Sequence, residues 1–310
     1  MKYLVTGGSG FIGSNIVEEL LKRGESVRVL DNFATGRREN IADFLDDVEL
    51  IEGDIRSLST VNRAVDGVDH VVHQAALPSV PRSIADPVTT NEVNITGTLN
   101  ILMAARDNGV QRVVFASSSS VYGNDPRLPK HEEMRPRPMS PYAISKLAGE
   151  TYCHVFTQLY GLETVILRYF NIFGPRQDPT SQYSAVIPKF IHAMMRNESP
   201  KINGDGSQSR DFTFVENVVQ ANIKATLIEN LPEERIFNCA GGQRVTVTEL
   251  VNELNRILGK EIKPVFGDRR PGDVAHSFAE VSRAVNYLGY EAHVKFREGL
   301  ERTVKWVSKS

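Results

Sequence analysis

A chain of 310 residues, 41% hydrophobic and 24% charged, has room for about two domains of ordinary globular composition. Its 36 basic and 38 acidic residues leave a net charge of −2, which argues against a nucleic-acid partner, whose phosphates demand a basic surplus or patch. No apolar run approaches the roughly 18 residues of a membrane helix, and the glycines of MKYLVTGGSGFIG interrupt any signal-peptide core, so a cytoplasmic protein with Cys153 and Cys239 buried and reduced is expected.

From the N-terminus, short β-branched runs alternate with longer amphipathic ones. This is the rhythm of βαβ units around a parallel sheet, an α/β fold of the Rossmann, doubly wound kind. Strands are predicted at 2–6, 26–31, 48–53, 69–74, 112–117 and 164–169, each apolar enough for burial on both faces. Helices are predicted at 12–23, stopped by Gly24, and at about 90–108, stopped by Gly109.

Directly after the first strand stands Gly7-Gly8-Ser9-Gly10-Phe11-Ile12-Gly13. Glycines at 7, 10 and 13 permit a tight turn, close approach of backbone to a pyrophosphate, and close helix packing, with free N–H groups facing the anion. Asp31 ends the second strand, where a carboxylate hydrogen-bonds an adenosine ribose and repels a 2′-phosphate; NAD is favoured over NADP, although Arg37 and Arg38 nearby keep that choice open. Asp54, after the third strand, is a candidate for the adenine edge, though an acid there is by itself more often a turn residue.

Two further clusters follow strand ends, where such sheets present their chemistry: Ser117-Ser118-Ser119-Ser120-Val121-Tyr122-Gly123, and Tyr142-Ala143-Ile144-Ser145-Lys146 at a helix start after Pro141. On a helix Tyr142 and Lys146 share a face. A phenol with a pKa near 10 is about 3 units too weak a base at pH 7, a deficit of about 4 kcal/mol. One unit charge at about 4 Å in an effective dielectric near 20 supplies roughly that much, so a lysine and a positive nicotinamide make Tyr142 a plausible base. Taken singly, a Tyr-x-x-x-Lys spacing or a serine run is more often plain helix or polar loop; their appearance after a dinucleotide fingerprint is what gives them weight.

After residue 175 the rhythm changes. A Gly/Pro/Gln/Ser-rich passage at 174–183 marks the expected boundary between a cofactor domain at 1–175 and a smaller, mainly substrate-binding α/β domain at 176–310, with a return to the first sheet at about 212–229. Thr246 with Glu249 reads as a capping box opening a helix at 247–258. The histidines lack metal-ligand spacing, and His70 and His73 read as structural.

These motifs in this order resemble the extended short-chain dehydrogenase/reductases, and among them the nucleotide-sugar 4-epimerases related to UDP-galactose 4-epimerase. The resemblance runs through Gly7 to Gly13, Asp31-Asn32, Gly53-Asp54-Ile55, Gln74-Ala75-Ala76, Asn94, the serine cluster, Tyr142 with Lys146, and Arg168-Tyr169-Phe170-Asn171. It continues through Ser209-Arg210-Asp211-Phe212 and Arg270-Pro271-Gly272-Asp273. It implies NAD as cofactor, with Gly7, Gly10, Phe11, Ile12, Gly13, Asp31, Asn32, Asp54, Ile55, Gln74, Ala75, Ala76, Asn94, Ser117, Lys146 and Tyr169 around it and Tyr142 at its reacting end. It also implies a reaction without net redox, in which Tyr142 takes the proton of a sugar 4-hydroxyl, Ser118 assists, and Lys146 binds the nicotinamide ribose and lowers the tyrosine pKa.

For the substrate, the resemblance places Ser79, Ser118, Ser119 and Tyr142 near the sugar, Asn171, Arg210, Arg270 and Asp273 at the UDP moiety, and Val186 and Asn203 near the uracil. Ser277 falls where some relatives restricted to non-acetylated sugars carry tyrosine, which implies room for an N-acetylated UDP-hexose; Ser79-Val80-Pro81-Arg82-Ser83 resembles the segment of UDP-N-acetylglucosamine 4-epimerases. Related dehydratases and decarboxylases carry acids where Ser119 and Ser120 stand. A UDP-glucuronate 4-epimerase or decarboxylase, with Arg82 for the sugar carboxylate, is the rival on the same scaffold; a non-catalytic dinucleotide sensor is the rival of another class. Relatives also imply a homodimer through a four-helix bundle of the 90–108 helix and the one carrying Tyr142.

Overall fold

In the computed structural model, which describes residues 1–178, 185–268 and 275–309, the first half runs β1 (Lys2–Thr6), α1 (Phe11–Lys22), β2 (Ser26–Asp31), β3 (Val48–Glu52), α2 (Leu58–Val65), β4 (His70–His73), α3 (Val80–Ala85), α4 (Pro87–Asn91), α5 (Gly97–Asp107), β5 (Arg112–Ser118), α6 (Pro141–Tyr160) and β6 (Glu163–Tyr169). The second half continues with β7 (Ile172–Phe173), α7 (Val186–Met195), β8 (Lys201–Asn203), β9 (Ser209–Asp211), β10 (Thr213–Phe214), α8 (Val215–Leu227), β11 (Ile236–Cys239), β12 (Arg244–Thr246), α9 (Val247–Leu258), β13 (Val265–Gly267), α10 (Ser282–Leu288) and α11 (Phe296–Val307).

Seven parallel strands form the central sheet in the order β3-β2-β1-β4-β5-β6-β11. The expected doubly wound α/β fold is therefore present, and the strand order reverses between β1 and β4, where such sheets open a crevice. Helices α2, α5 and α6 pack on one face with Val71, Val113 and Phe115. On the other face α1 lies against α8, over Tyr3, Val5 and Val29. Gly149 allows α6 to sit this close, since a Cβ there would meet the Phe115 ring at 2.3 Å.

Three expectations are corrected. The 48–53 strand is not buried on both faces: β3 is an edge, and Glu49 and Glu52 are exposed along it, as edges that discourage further pairing are. The helix expected at 90–108 is α4 and α5 joined by a π-helical turn at Glu92–Thr96, a single-turn widening that swings Asn94 inward. The return of the chain to the first sheet extends past 212–229, because β11 pairs with β6 from Ile236 opposite Ile166 to Cys239 opposite Tyr169.

Local chemistry explains the helix starts that matter. Ser140 accepts from the Ala143 N–H at 3.1 Å with Pro141 in the first turn, fixing where α6 begins and so where Tyr142 points. The Thr246/Glu249 capping box closes reciprocally at 3.1 Å and 2.7 Å. Cys153 and Cys239 are free and buried. Among the described residues no helix is long and apolar enough to cross a membrane.

Candidate active site

The β1–α1 turn is built for an anion. Gly7 has φ +68°, and a Cβ on it would lie 2.8 Å from the Ala75 nitrogen; a Cβ on Gly13 would lie 2.1 Å from the Gly7 carbonyl oxygen. Helix α1 has no side-chain N-cap and no acid in its first turn, so its leading N–H groups are left for an external acceptor. A cleft of about 360 Å³ opens above them. A dinucleotide therefore fits on the evidence of the cradle itself, which side chains would fill.

Every residue expected around the cofactor lines this cleft except Asn94. Asn94 instead accepts from the Leu77 N–H at 2.7 Å and donates to the Leu77 carbonyl and the Ser145 hydroxyl, so it shapes the wall rather than forming it. Asp31 accepts from the Ser9 and Phe33 N–H groups at 2.9 and 2.8 Å, while burial pushes its carboxyl above the usual range. Each oxygen keeps a lone pair for a ribose hydroxyl. Asp54 accepts from Arg56 at 2.8 Å and Asn32 at 2.9 Å, and the Arg56 guanidinium holds its carboxyl below the usual range.

On the cleft floor the Tyr169 hydroxyl lies 2.9 Å from Gln74 Nε2 and 2.8 Å from Asn222 Nδ2. Asn222 belongs to α8 and is fully buried. Sequence reasoning missed it; the signal was an amide on the apolar stripe formed by Val218, Val219 and Ile223.

Tyr142 and Lys146 both face the cleft, one helical turn apart. Ser118, at the end of β5, is close enough to the Tyr142 phenol to pull its pKa down, but burial is the larger influence and raises it. Lys146 Nζ donates to the Ala116 carbonyl at 2.8 Å and lies 5.1 Å from the centre of the Phe115 ring; burial lowers its pKa to about 8, with Cys153 and Glu150 opposing. The expected lowering of the phenol pKa by Lys146 is thus absent in this arrangement, because the ammonium is committed to Ala116. Sequence reasoning also missed Glu150, which accepts from the Ser117 hydroxyl at 2.5 Å and pairs with Arg168. Ser119 opens the turn at Ser119–Tyr122, and Ser118 caps it by accepting from the Ser120 N–H at 3.2 Å.

A second cavity of about 260 Å³ adjoins through the strand end, since Tyr169 lines the first and Asn171 the second. Val186, Asn203 and Arg210 line it as expected, over an apolar floor of Phe190 and Phe212. Arg210 donates to the Ala275 carbonyl at 3.1 Å. Asn171, at φ +40°, donates to the Asp211 carbonyl at 3.1 Å and to the Ser277 hydroxyl at 3.5 Å. Ser79, at φ +96°, caps α3 by accepting from the Arg82 N–H at 3.4 Å. Arg270 and Asp273 lie outside the described residues.

A doubly wound sheet with a glycine cradle at its switch point and a serine, tyrosine and lysine at the neighbouring strand ends defines a nucleotide-dependent enzyme fold of the short-chain dehydrogenase/reductase kind. The chain belongs to the NAD dependent epimerase/dehydratase family, whose model matches residues 3–240. It is 38% identical over 306 residues to a putative UDP-glucose 4-epimerase of Methanocaldococcus jannaschii, covering 98% of this chain and 97% of the relative. Among solved structures, the UDP-N-acetylglucosamine 4-epimerase of Methanobrevibacter ruminantium, in complex with UDP-N-acetylmuramic acid, is 40% identical with a TM-score of 0.94 over 100% of this chain and 99% of that one. The UDP-glucose 4-epimerase of Thermus thermophilus in complex with NAD is also 40% identical, with a TM-score of 0.90 over the full length of both chains. The cofactor of the family is NAD.

Proposed function

We propose that the protein interconverts UDP-hexoses epimeric at the sugar C4, and that it accepts N-acetylated as well as plain hexoses. The observation that carries the reaction is the placement of Tyr142 and Lys146 one helical turn apart on the wall of the cofactor cleft, beside a second, apolar-floored cavity that begins at the same strand end. When bound, NAD supplies a reversible acceptor for the hydride of the sugar carbon.

The chain's own residues handle the proton. Tyr142 Oη accepts the proton of the sugar 4-hydroxyl and later returns it, and Ser118 Oγ holds the same sugar oxygen in line. Because burial raises the phenol pKa in this structure, the base form requires positive charge brought close on loading; Lys146, with its pKa near 8, is cationic at neutral pH and is the residue to turn from Ala116 toward the ribose and phenol. Ser119 and Ser120 offer no carboxylate for elimination or decarboxylation. A serine at 277, held against Asn171, leaves volume for an acetamide.

The test is direct. Purified protein, with no NAD added, is mixed with UDP-glucose, UDP-N-acetylglucosamine and UDP-glucuronate, and each is followed by NMR. Formation of the 4-epimers of the first two supports the proposal. Turnover of UDP-glucuronate alone, or loss of carbon dioxide from it, would replace it with the rival reading, and turnover of UDP-glucose without UDP-N-acetylglucosamine would remove the acetylated substrates.

A further inference from the structure

The segment 174–178, which follows β7, crosses back onto the cofactor half of the molecule. Asn15 donates to the Pro175 carbonyl at 3.3 Å, Arg176 pairs with Glu18 on α1 at 2.5 Å, and Asp178 Oδ1 meets Arg37 Nη2 at 2.7 Å. Arg37 stands in the loop after β2 that wraps the ribose-binding carboxylate. Its own N–H donates to the Ser9 carbonyl at 3.0 Å, and a Cβ on the preceding Gly36 would lie 3.0 Å from Asp31 Oδ2. The next residue, Arg38, is committed as well: it pairs with Glu52 at 2.5 Å, and its guanidinium carbon lies 4.2 Å from the centre of the Phe33 ring.

We infer that Asp178 is a cofactor-specificity residue that excludes a 2′-phosphorylated dinucleotide by occupying Arg37. A phosphomonoester brings a charge of about −1.5 to −2 and is best met by a guanidinium. Arg37 follows directly on Gly36, which packs against Asp31, and its guanidinium is engaged by the Asp178 carboxylate. The Arg37–Asp178 pair is 45% and 30% exposed, so it contributes little to folding. Discrimination between ligands differing by two charges at this spot is a use for which a weak, half-exposed pair suffices. The device lies outside the βαβ unit that carries the usual acidic discriminator, in a part of the chain otherwise concerned with the second cavity.

The inference rests on a dinucleotide in the cleft and not on which sugar is turned over, so it stands or falls separately from the proposed reaction. The test uses the full chain, stripped of cofactor, and titrates NAD and NADP by calorimetry into the wild type, Asp178→Asn, and Asp178→Asn combined with Arg37→Ala. Asp178→Asn is expected to tighten NADP binding about tenfold, the effect of one charge at a few ångströms in a half-exposed site, with NAD changed less than about threefold. The double variant is expected to lose that gain. Unchanged NADP affinity in Asp178→Asn overturns the inference. So does an equal gain in the double variant, because Arg37 would not then be the recipient, and so does loss of both dinucleotides, because the pair would then be holding the shape of the cleft.

Discussion

Arg168 and Glu150 form a two-point ion pair inside the protein, Nε to Oε1 at 2.8 Å and Nη2 to Oε2 at 2.7 Å, with side chains 2% and 3% exposed. The pair joins β6 to α6 beneath the cleft, one turn past Lys146, and takes Ser117 of β5 as a third member. The guanidinium also stacks on the Tyr122 ring at 4.8 Å. Removing one partner strands a buried charge, which costs about 3–5 kcal/mol, whereas replacing both with apolar groups of similar volume is often nearly neutral. Arg168→Met is therefore expected to lose about 3–5 kcal/mol in urea unfolding, and Glu150→Leu with Arg168→Met to recover most of it. Equal losses in the single and double variants would show that the pair's own attraction, and not the stranded charge, sets the cost.

The glycine cradle makes a sharper prediction. Gly13→Ala places a Cβ 2.1 Å from the Gly7 carbonyl oxygen and 2.9 Å from the Gly8 Cα, backbone atoms that cannot swing aside as a side chain would. Purified Gly13→Ala protein is expected to carry no NAD and to lose about 3 kcal/mol, at the upper end of what overpacking costs. Gly24→Ala is the control: at φ +77° it is strained by about 1–2 kcal/mol, but nothing lies within 4 Å of its Cβ, and it keeps NAD.

At the reacting end, Tyr142→Phe is expected to lower turnover by about 10²–10⁴ while leaving bound NAD in place, which absorbance of the released cofactor checks. On the proposed mechanism the active form of Tyr142 is the deprotonated one, so turnover is expected to rise with pH through the phenol pKa. Burial already raises that pKa, and in the loaded enzyme, where the proposed mechanism turns Lys146 from Ala116 toward the phenol, taking away the ammonium raises it further. In Lys146→Met the rising limb of the pH–rate profile therefore moves to higher pH, and alkali partly rescues turnover. A limb that stays in place would leave Lys146 with a binding role alone.

Much of this was legible in the sequence, because the relevant residues act locally. Gly7 and Gly13 are set by a strand–turn–helix of consecutive residues, Asp31 by the end of the next strand, and Tyr142 and Lys146 by one helical turn. What escaped depends on distant partners. β11 is four residues long and becomes a strand only because β6 offers its free edge. Asn222 and Arg168 look in sequence like a helix amide and a strand arginine, and acquire meaning only from Tyr169 and Glu150, 53 and 18 residues away. The direction of Lys146 was hidden for the same reason: the Ala116 carbonyl, 30 residues distant, competes with the phenol for the ammonium.

Asp211 predicts a pH dependence of stability. Its carboxylate is fully buried where three segments meet, accepting from the Gly242 N–H at 3.0 Å and the Ala279 N–H at 3.2 Å. Burial raises its pKa to about 6, against the downward pull of those N–H groups. The folded state thus binds this proton more tightly than the unfolded state, whose pKa is about 3.9. Stability from this group is greatest below about pH 4, falls as pH rises toward 6, and is lower by about 3 kcal/mol above that. Urea unfolding of wild type and Asp211→Asn across pH 4–7 checks it: the advantage of the wild type over the variant is expected to shrink as pH rises, and a constant difference would remove Asp211 as its source.

Ser277 carries the substrate prediction. Its N–H donates to the Ser209 carbonyl at 3.0 Å and its hydroxyl accepts from Asn171, which lines the second cavity. The backbone at 277 is thus pinned, so a larger side chain grows into the neighbouring space instead of carrying the segment away. Asn171 in turn is anchored to the Asp211 carbonyl, which leaves it little freedom to retreat. On the proposed reading, Ser277→Tyr fills the room for the acetamide. It is expected to lower kcat/KM for UDP-N-acetylglucosamine by about 100-fold, the order of a lost or blocked small-group pocket, while UDP-glucose stays within about threefold. Equal losses on both sugars would mean that residue 277 serves the segment it caps, through Ser209 and Asn171, and does not shape the sugar pocket.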